Sequence, residues 1–187
     1  MTTAQHIVAS SLKLFYRMGF HASGVDLLSQ EAGVTKKTLY RHYPSKDALI
    51  DAALALRHSQ FMAKMRAAVE TTPIENRPLA YLEFIAHWTG EDDFHGCAFI
   101  NASAEFANPT APPHQQAAAH KGEVQRYLQD LCAAAGARQP GLIAQQLFLL
   151  GEGLIVASQV QGHDAAQEKA AQALASAAWL AAKSSVP

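Results

Sequence analysis

The chain has 187 residues, of which 49% are hydrophobic, so it can bury the core of one or two small domains and is not expected to be disordered. Only 8 Pro and 11 Gly interrupt it, and strand-favouring residues are sparse, which predicts an all-helical protein. The net charge of -1 argues against a protein that coats nucleic acid non-specifically, and the two cysteines fit neither a disulfide framework nor a zinc-ligand pair.

The sequence offers no strong membrane or export signal. The most apolar stretch, 142–156, contains Gln145, Gln146 and Glu152, and the N-terminus has no continuous apolar block before Lys13. We therefore expect a cytoplasmic protein that makes no contact with a membrane.

Charge is distributed unevenly along the chain. The first 50 residues carry six Lys or Arg against three Asp or Glu, whereas the remainder has an acidic excess. A basic head on an acidic body suggests that the head meets a polyanion, while the body is a candidate sensor and dimer.

Three short helices are predicted at the start of the chain. Thr2 and Gln5 have capping-box spacing at the beginning of the first helix, which ends before Gly19. Ser23, with Asp26 three residues later, is predicted to cap a second helix that ends at Gly33.

The third helix is predicted over 36–42, because Thr35 can cap its start and Pro44 stops it. Ser45 then caps a long fourth helix that runs toward Val69. Five more helices are predicted, roughly over 75–88, 97–107, 115–135, 142–160 and 165–183. These patterns predict about nine helices, with a head over 1–47 and a body over 48–187.

A short helix, a turn containing glycine and a second short helix form the unit that presents one helix to the DNA major groove, which is roughly 12 Å wide. Here the helix-turn-helix spans Val25 to His42 with its turn at 32–34, and Val34 and Leu39 should hold the second helix in place. This arrangement leaves the polar residues of that helix exposed.

The exposed residues are suited to DNA. Lys36 and Lys37 are candidates to reach guanine edges, and nearby hydroxyl, imidazole and ammonium groups can bind phosphates. The predicted DNA-binding set is Ser23, Thr35, Lys36, Lys37, Thr38, Tyr40, Arg41, His42 and Lys46. Two adjacent lysines are usually only a solvated face, but the order of cap, glycine turn, apolar pair and exposed donors favours DNA docking.

Four segments together resemble the DNA-binding head of TetR-family bacterial transcriptional repressors. They are 15–20, 23–26, 31–43 and 45–50, and the resemblance covers about residues 4 to 54. It implies a three-helix head, a helical ligand-binding body and a homodimer on a pseudopalindromic operator that a small molecule releases.

The resemblance also implies which residues touch DNA. The matching positions are Thr35, Lys36, Thr38, Tyr40, His42 and Lys46. Lys37 departs from the family, whose members often carry Gly there, and Tyr43, where Phe is commoner, is expected in the core.

The last two helices are the candidate dimer interface, because two such hairpins can form a four-helix bundle. The predicted interface residues are Leu142, Ile143, Leu147, Leu150, Leu154, Leu174, Trp179 and Leu180. The pattern alone fits an ordinary intramolecular core equally well, and the family resemblance favours the dimer.

Apolar and aromatic residues of the body are candidates to line an effector pocket, although each could equally be a core residue. The predicted set is Phe61, Met65, Phe84, Trp88, Cys97, Phe99, Asn101 and Phe106. The effector would act by favouring a state in which the heads are wrongly spaced.

The segment from Gly96 and Cys97 through Asn101 to Glu105 resembles a Gly-Cys-xxx-Asn-xxx-Glu pattern found in a subset of TetR-type bodies, some of which sense electrophiles or oxidants with a thiol. Cys97 is therefore an alternative sensor, whereas the simpler interpretation is that Gly and Cys begin a packed helix.

The opposing class is a small helical enzyme. Nine histidines invite a hydrolase or metal site, but the sequence has no nucleophile elbow, phosphate-binding glycine loop or His-Glu-x-x-His string. We predict a DNA-binding regulator that is not an enzyme and needs no cofactor or metal. An activator would share the same head.

Overall fold

The computed structural model describes residues 1–183, which form nine helices and no strand. The helices are α1 (Thr3–Met18), α2 (Val25–Glu31), α3 (Lys36–His42), α4 (Lys46–Val69), α5 (Arg77–Thr89), α6 (Ala98–Glu105), α7 (Pro112–Ala134), α8 (Pro140–Gln161) and α9 (Ala165–Lys183). The all-helical prediction is confirmed. The α7 helix begins three residues earlier than predicted, because proline is tolerated in the first turn, where its missing N–H has no helical partner.

Side-chain caps fix the beginnings of three helices, as predicted. Thr2 Oγ1 accepts the Gln5 N–H at 3.2 Å while Gln5 Oε1 accepts the Thr2 N–H at 2.8 Å. Thr35 Oγ1 accepts the Thr38 N–H at 3.1 Å, and Ser45 Oγ accepts the Ala48 N–H at 3.0 Å. Each cap satisfies a backbone donor that the first helical turn leaves without a partner.

The predicted cap of α2 is wrong. Gly24 is the N-cap residue and makes no side-chain cap, whereas Ser23 is fully buried and its hydroxyl donates to the Gly19 carbonyl at 2.7 Å. Ser23 therefore stabilises the turn between α1 and α2. The sequence could not distinguish the two roles, because a serine beside a helix start can bond to either flank.

The described chain divides into two compact units. The first comprises Met1–Phe61 and Cys97–His120, and the second comprises Met62–Gly96 and the chain from Lys121 onward. The first unit thus contains α1 to α3, the first part of α4, α6 and the beginning of α7. The division into a functional head over 1–47 and a body over 48–187 stays a prediction.

In the second unit α5, α8 and α9 pack against one another. At Gly151 the α8 backbone lies so close to α5 that a Cβ on this residue would be 2.5 Å from the hydroxyl oxygen of Tyr81, which is itself buried. By length and hydropathy α8 alone among the described helices could also cross a membrane, and a little under half of that stretch is buried in the protein.

Candidate nucleic-acid interface

The turn between α2 and α3 depends on Gly33. Its φ is 60°, a region that a residue with a Cβ rarely adopts, and the next amide, of Val34, donates to the Ser29 carbonyl at 3.0 Å. Leu28 of α2 and Leu39 of α3 are fully buried. The two helices are therefore joined rigidly, and one face of α3 is committed to the core.

The opposite face of α3 is open. Lys36, Lys37 and Arg41 are exposed, and 46% of the Tyr40 surface remains accessible. A helix of two turns with three cations and a phenol on its outer side can enter a groove of duplex DNA, where cations meet phosphates and the acceptor atoms of guanine.

Other predicted contact residues are partly engaged within the head. The hydroxyls of Thr35 and Thr38 lie 3.0 Å apart and share a hydrogen bond. His42 Nε2 is buried and makes no hydrogen bond to the described residues, so only the other ring nitrogen of His42 could reach a phosphate. Tyr43 is half-buried, and its hydroxyl donates to the Ala4 carbonyl at 3.2 Å.

Lys36 has a partner that the sequence reasoning missed. Its ammonium forms an ion pair with Asp26 of α2, and both side chains are more than half exposed. Asp26 therefore pairs with a cation of α3 and does not complete the predicted capping box with Ser23. The available signal was the opposite charge on consecutive short helices, because the glycine turn brings the start of α3 back beside α2.

Lys46 lies at the beginning of α4, and its Nζ donates to the His21 carbonyl at 3.2 Å. An ammonium has three donors, so this contact leaves capacity for a phosphate. Lys46 therefore stabilises the turn between α1 and α2 as well as adding positive charge to the head.

The predicted pocket residues lie mostly in the core. Phe61, Met65, Trp88, Cys97 and Phe99 are buried. Phe84, Asn101 and Phe106 are half-buried. The three clefts described, near His87 and His163, near Leu142 and Ala182, and between Leu82 and Ala175, are lined by other residues.

A histidine pair in the first unit was also missed. The Nδ1 atoms of His58 on α4 and His120 on α7 lie 3.0 Å apart, so one must donate its proton to the other. His120 is buried and stacks on Phe99 with ring centroids 3.7 Å apart, and it meets the edge of Phe61. Sequence periodicity marks apolar faces, and it therefore identified the two phenylalanines but not the imidazoles between them.

Both cysteines are free thiols in the core. Cys97 is the N-cap residue of α6, and burial raises the pKa of Cys132 to about 12. Reaction with an oxidant needs an accessible thiolate.

We therefore expect native protein to resist N-ethylmaleimide at pH 7.5, because both thiols are shielded, and to react at both sites after denaturation. Intact-mass spectrometry measures this directly. A Gln60→Cys variant, with an exposed thiol on α4, is the positive control. Rapid modification of Cys97 in the native protein would instead support the thiol-sensor alternative.

The residues predicted for the dimer interface separate into two groups. Leu142, Leu174 and Leu180 are exposed, and Leu150 is half-buried. Ile143, Leu147, Leu154 and Trp179 are buried within the protomer. Both faces of α8 are apolar, so periodicity alone could not tell which one packs internally.

The head also matches a known family. The family model for bacterial regulatory proteins of the tetR family matches residues 7–53, a range that includes the whole helix-turn-helix. The head is therefore that of a TetR-type regulator. The chain is accordingly a DNA-binding transcriptional regulator.

Relatives agree that the chain resembles transcriptional regulators with a helix-turn-helix. The chain is 24% identical to the HTH-type transcriptional regulator YjdC of Escherichia coli over 153 residues, 81% of this chain and 80% of that one. It is 34% identical to the HTH-type transcriptional activator FasR of Mycolicibacterium smegmatis over 88 residues, 44% of this chain and 40% of that one.

Solved structures extend the similarity along the chain. A TetR-family transcriptional regulator from Streptomyces coelicolor has a TM-score of 0.90 and 26% identity, covering 98% of this chain and 91% of that one. A TetR-family regulator from Cytophaga hutchinsonii, at 17% identity, shares the fold with a TM-score of 0.84 and covers 98% of this chain and 96% of that one.

Proposed function

We propose that this protein is a TetR-type repressor that binds a pseudopalindromic operator as a homodimer and is released by a small molecule. The observation that carries the proposal is the outer face of α3, where Lys36, Lys37, Tyr40 and Arg41 are exposed while Leu39 anchors the helix. Lys36 and Lys37, in the first turn of α3, would contact base edges. Thr35, Thr38, Tyr40, His42 and Lys46 would position the head on phosphates.

A homodimer is needed because one two-turn helix buries too little surface for tight, specific binding. Two heads roughly 34 to 36 Å apart would read two half-sites on the same side of the duplex. The exposed apolar face of α8 and α9 supports such pairing, since these two helices pack against each other in the second unit.

The face combines residues from both helices. Leu142, Leu149 and Val156 lie seven residues apart on one side of α8 and are all exposed, Leu149 by 67%. Leu174 and Leu180 of α9 are also exposed. Several exposed apolar residues on two packed helices favour an interface, and a second copy of the chain would cover them with the same residues.

Leu149→Glu should convert the dimer to a monomer, because a carboxylate would be desolvated at the centre of the interface. Sedimentation velocity at micromolar concentration measures the mass. Ile74→Glu is the matched control, since Ile74 is an exposed apolar residue of the loop between α4 and α5 and lies outside the face. A Leu149→Glu protein that stayed dimeric would exclude this face.

Release by an effector follows if the effector binds more tightly to a state with the wrong head spacing, since operator affinity then falls by the same free-energy difference. One relative is named a transcriptional activator, so repression and activation have to be distinguished by experiment. A reporter gene behind the recovered operator distinguishes repression from activation.

The proposal is tested by incubating purified protein with fragmented bacterial DNA and sequencing the retained fragments. We expect a short motif with two-fold symmetry. Failure to prefer any duplex at moderate ionic strength would overturn the proposal, and a retained motif without symmetry would exclude the homodimeric mode. A regulator of this kind would act in the cytoplasm, on the nucleoid when bound to its operator, and would have no enzymatic activity.

A further inference from the structure

Glu105, the last residue of α6, binds the turn that joins α1 to α2. Its Oε1 accepts the Phe20 N–H at 2.9 Å, and its Oε2 accepts the His21 N–H at 2.6 Å. The His21 ring is a third partner, with Nδ1 2.9 Å from Oε2. One carboxylate therefore satisfies two backbone amides and one imidazole of the DNA-binding head.

The surrounding residues fit this contact. Gly19 has a φ of 87°, and a Cβ there would lie 2.9 Å from Glu105 Oε1, so glycine gives the carboxylate room to approach. Phe106, which follows Glu105, packs on the His21 ring with centroids 4.7 Å apart and on the Phe20 ring at 6.1 Å. The turn is thus held both by charge and by aromatic packing.

Glu105 is suited to remain ionised in this position. Burial opposes its ionisation, but the amides of His21 and Phe20 and the His21 ring outweigh that effect and hold the pKa of Glu105 below its ordinary value. The contact therefore persists as a charge-assisted one at neutral pH, and such hydrogen bonds are stronger than neutral ones.

We propose that Glu105 is a positioning residue that fixes the orientation of the DNA-binding head on α6 and thereby contributes to the spacing of the two reading helices. The proposal rests on the proposed function, because spacing matters only for a homodimer on a two-part operator. It gives this chain's Glu105 a role that neither a thiol sensor nor a packed helix start requires.

The glycine at the other end of the pattern adopts a backbone conformation that favours glycine. Gly96 is buried with a φ of 85°, and a Cβ there would collide with the side chain of Gln159 on α8. Along the chain α6 follows directly from this constrained position and ends at Glu105.

The proposal predicts a particular pattern of affinities. A head released from α6 would still bind a single half-site. A full operator requires both heads at one spacing, and ordering a mobile head costs free energy that weakens binding to the full operator. Glu105→Gln should therefore weaken binding to the full operator by about tenfold and change binding to a single half-site by less than about twofold.

The measurement is fluorescence anisotropy with two labelled duplexes, one carrying the full motif recovered from bacterial DNA and one carrying half of it. Glu31→Gln is the matched control, because it removes the same charge from the head, where Glu31 pairs with Arg17, and does not touch α6. We expect this control to affect the two duplexes equally. Equal losses on both duplexes for Glu105→Gln would overturn the proposal.

A second readout does not depend on DNA. Hydrogen exchange should become faster at the Phe20 and His21 amides in Glu105→Gln, while exchange within α3 stays the same. Unchanged exchange at these two amides would overturn the proposal whatever the binding data show. A wild-type protein that binds no duplex would instead overturn the proposed function, and the exchange experiment separates the two failures.

Discussion

Lys37→Ala should weaken binding to the operator by at least about 30-fold. A good base contact contributes about 1 to 3 kcal/mol of discrimination. The substitution removes one such contact from each half of a homodimer, a loss of at least about 2 kcal/mol, which corresponds to about 30-fold in affinity. Lys37 is exposed at the start of α3, so its removal leaves the core of the head intact. Titration of the full operator and of a scrambled duplex of equal length measures both affinity and base preference.

Lys64→Ala is the control for the loss of a charge, because Lys64 is exposed on α4 within the second unit. It should leave operator affinity nearly unchanged. If Lys37→Ala weakened the operator and the scrambled duplex equally, Lys37 would be a phosphate contact. If neither affinity changed, α3 would not be the reading helix.

Gly151→Ala should destabilise the protein by about 2 kcal/mol. The added methyl group would displace the buried Tyr81 side chain, and overpacking of this kind costs about 1 to 3 kcal/mol. The higher helix propensity of alanine returns up to about 1 kcal/mol. Urea unfolding followed by circular dichroism measures the change.

Gly122→Ala is the matched control. Gly122 is also inside a helix, but a Cβ there meets only the flexible end of Arg126, at 3.4 Å. This variant should be unchanged or more stable by about 0.5 to 1 kcal/mol. The interpretation of Gly151 as a close-packing position is wrong if both variants shift in the same direction by the same amount.

The head could be predicted closely from the sequence because its signals are local. Thr35, Gly33 and Pro44 each act within four residues of themselves, and they define both ends of α3. The exposed cations then follow from helical spacing around buried Leu39. No knowledge of distant residues is needed for any of these steps.

Glu105 could not be recognised in the same way. Its partners, Phe20 and His21, lie 85 and 84 residues away along the chain, and two of the three groups it binds are backbone amides that leave no mark on the sequence. His120 was missed for a related reason, since a histidine inside an apolar helix face is visible only when its His58 partner is in place. Long-range polar contacts therefore depend on the fold itself.

On α8, apolar periodicity could not predict which residues are exposed. Leu142, Ile143 and Leu147 all satisfy a helical stripe, yet only Leu142 is exposed. One face of α8 packs inside its own protomer and the other face is also apolar. The helix therefore has two apolar stripes, and residue spacing does not show which of them is exposed. The dimer proposal therefore depends on the burial seen in the folded chain, which separates the exposed residues of α8 from the buried ones.

The ion pair between Lys36 and Asp26 has a consequence for how the head would search DNA. Lys36 already has an acceptor in Asp26, although this exposed ion pair is weak, so its transfer to a guanine exchanges one acceptor for another. The neighbouring Lys37 would contribute to attraction at any sequence. Lys36 would contribute mainly where the groove offers an acceptor better than Asp26, whereas Lys37 would add its base contact to that general attraction.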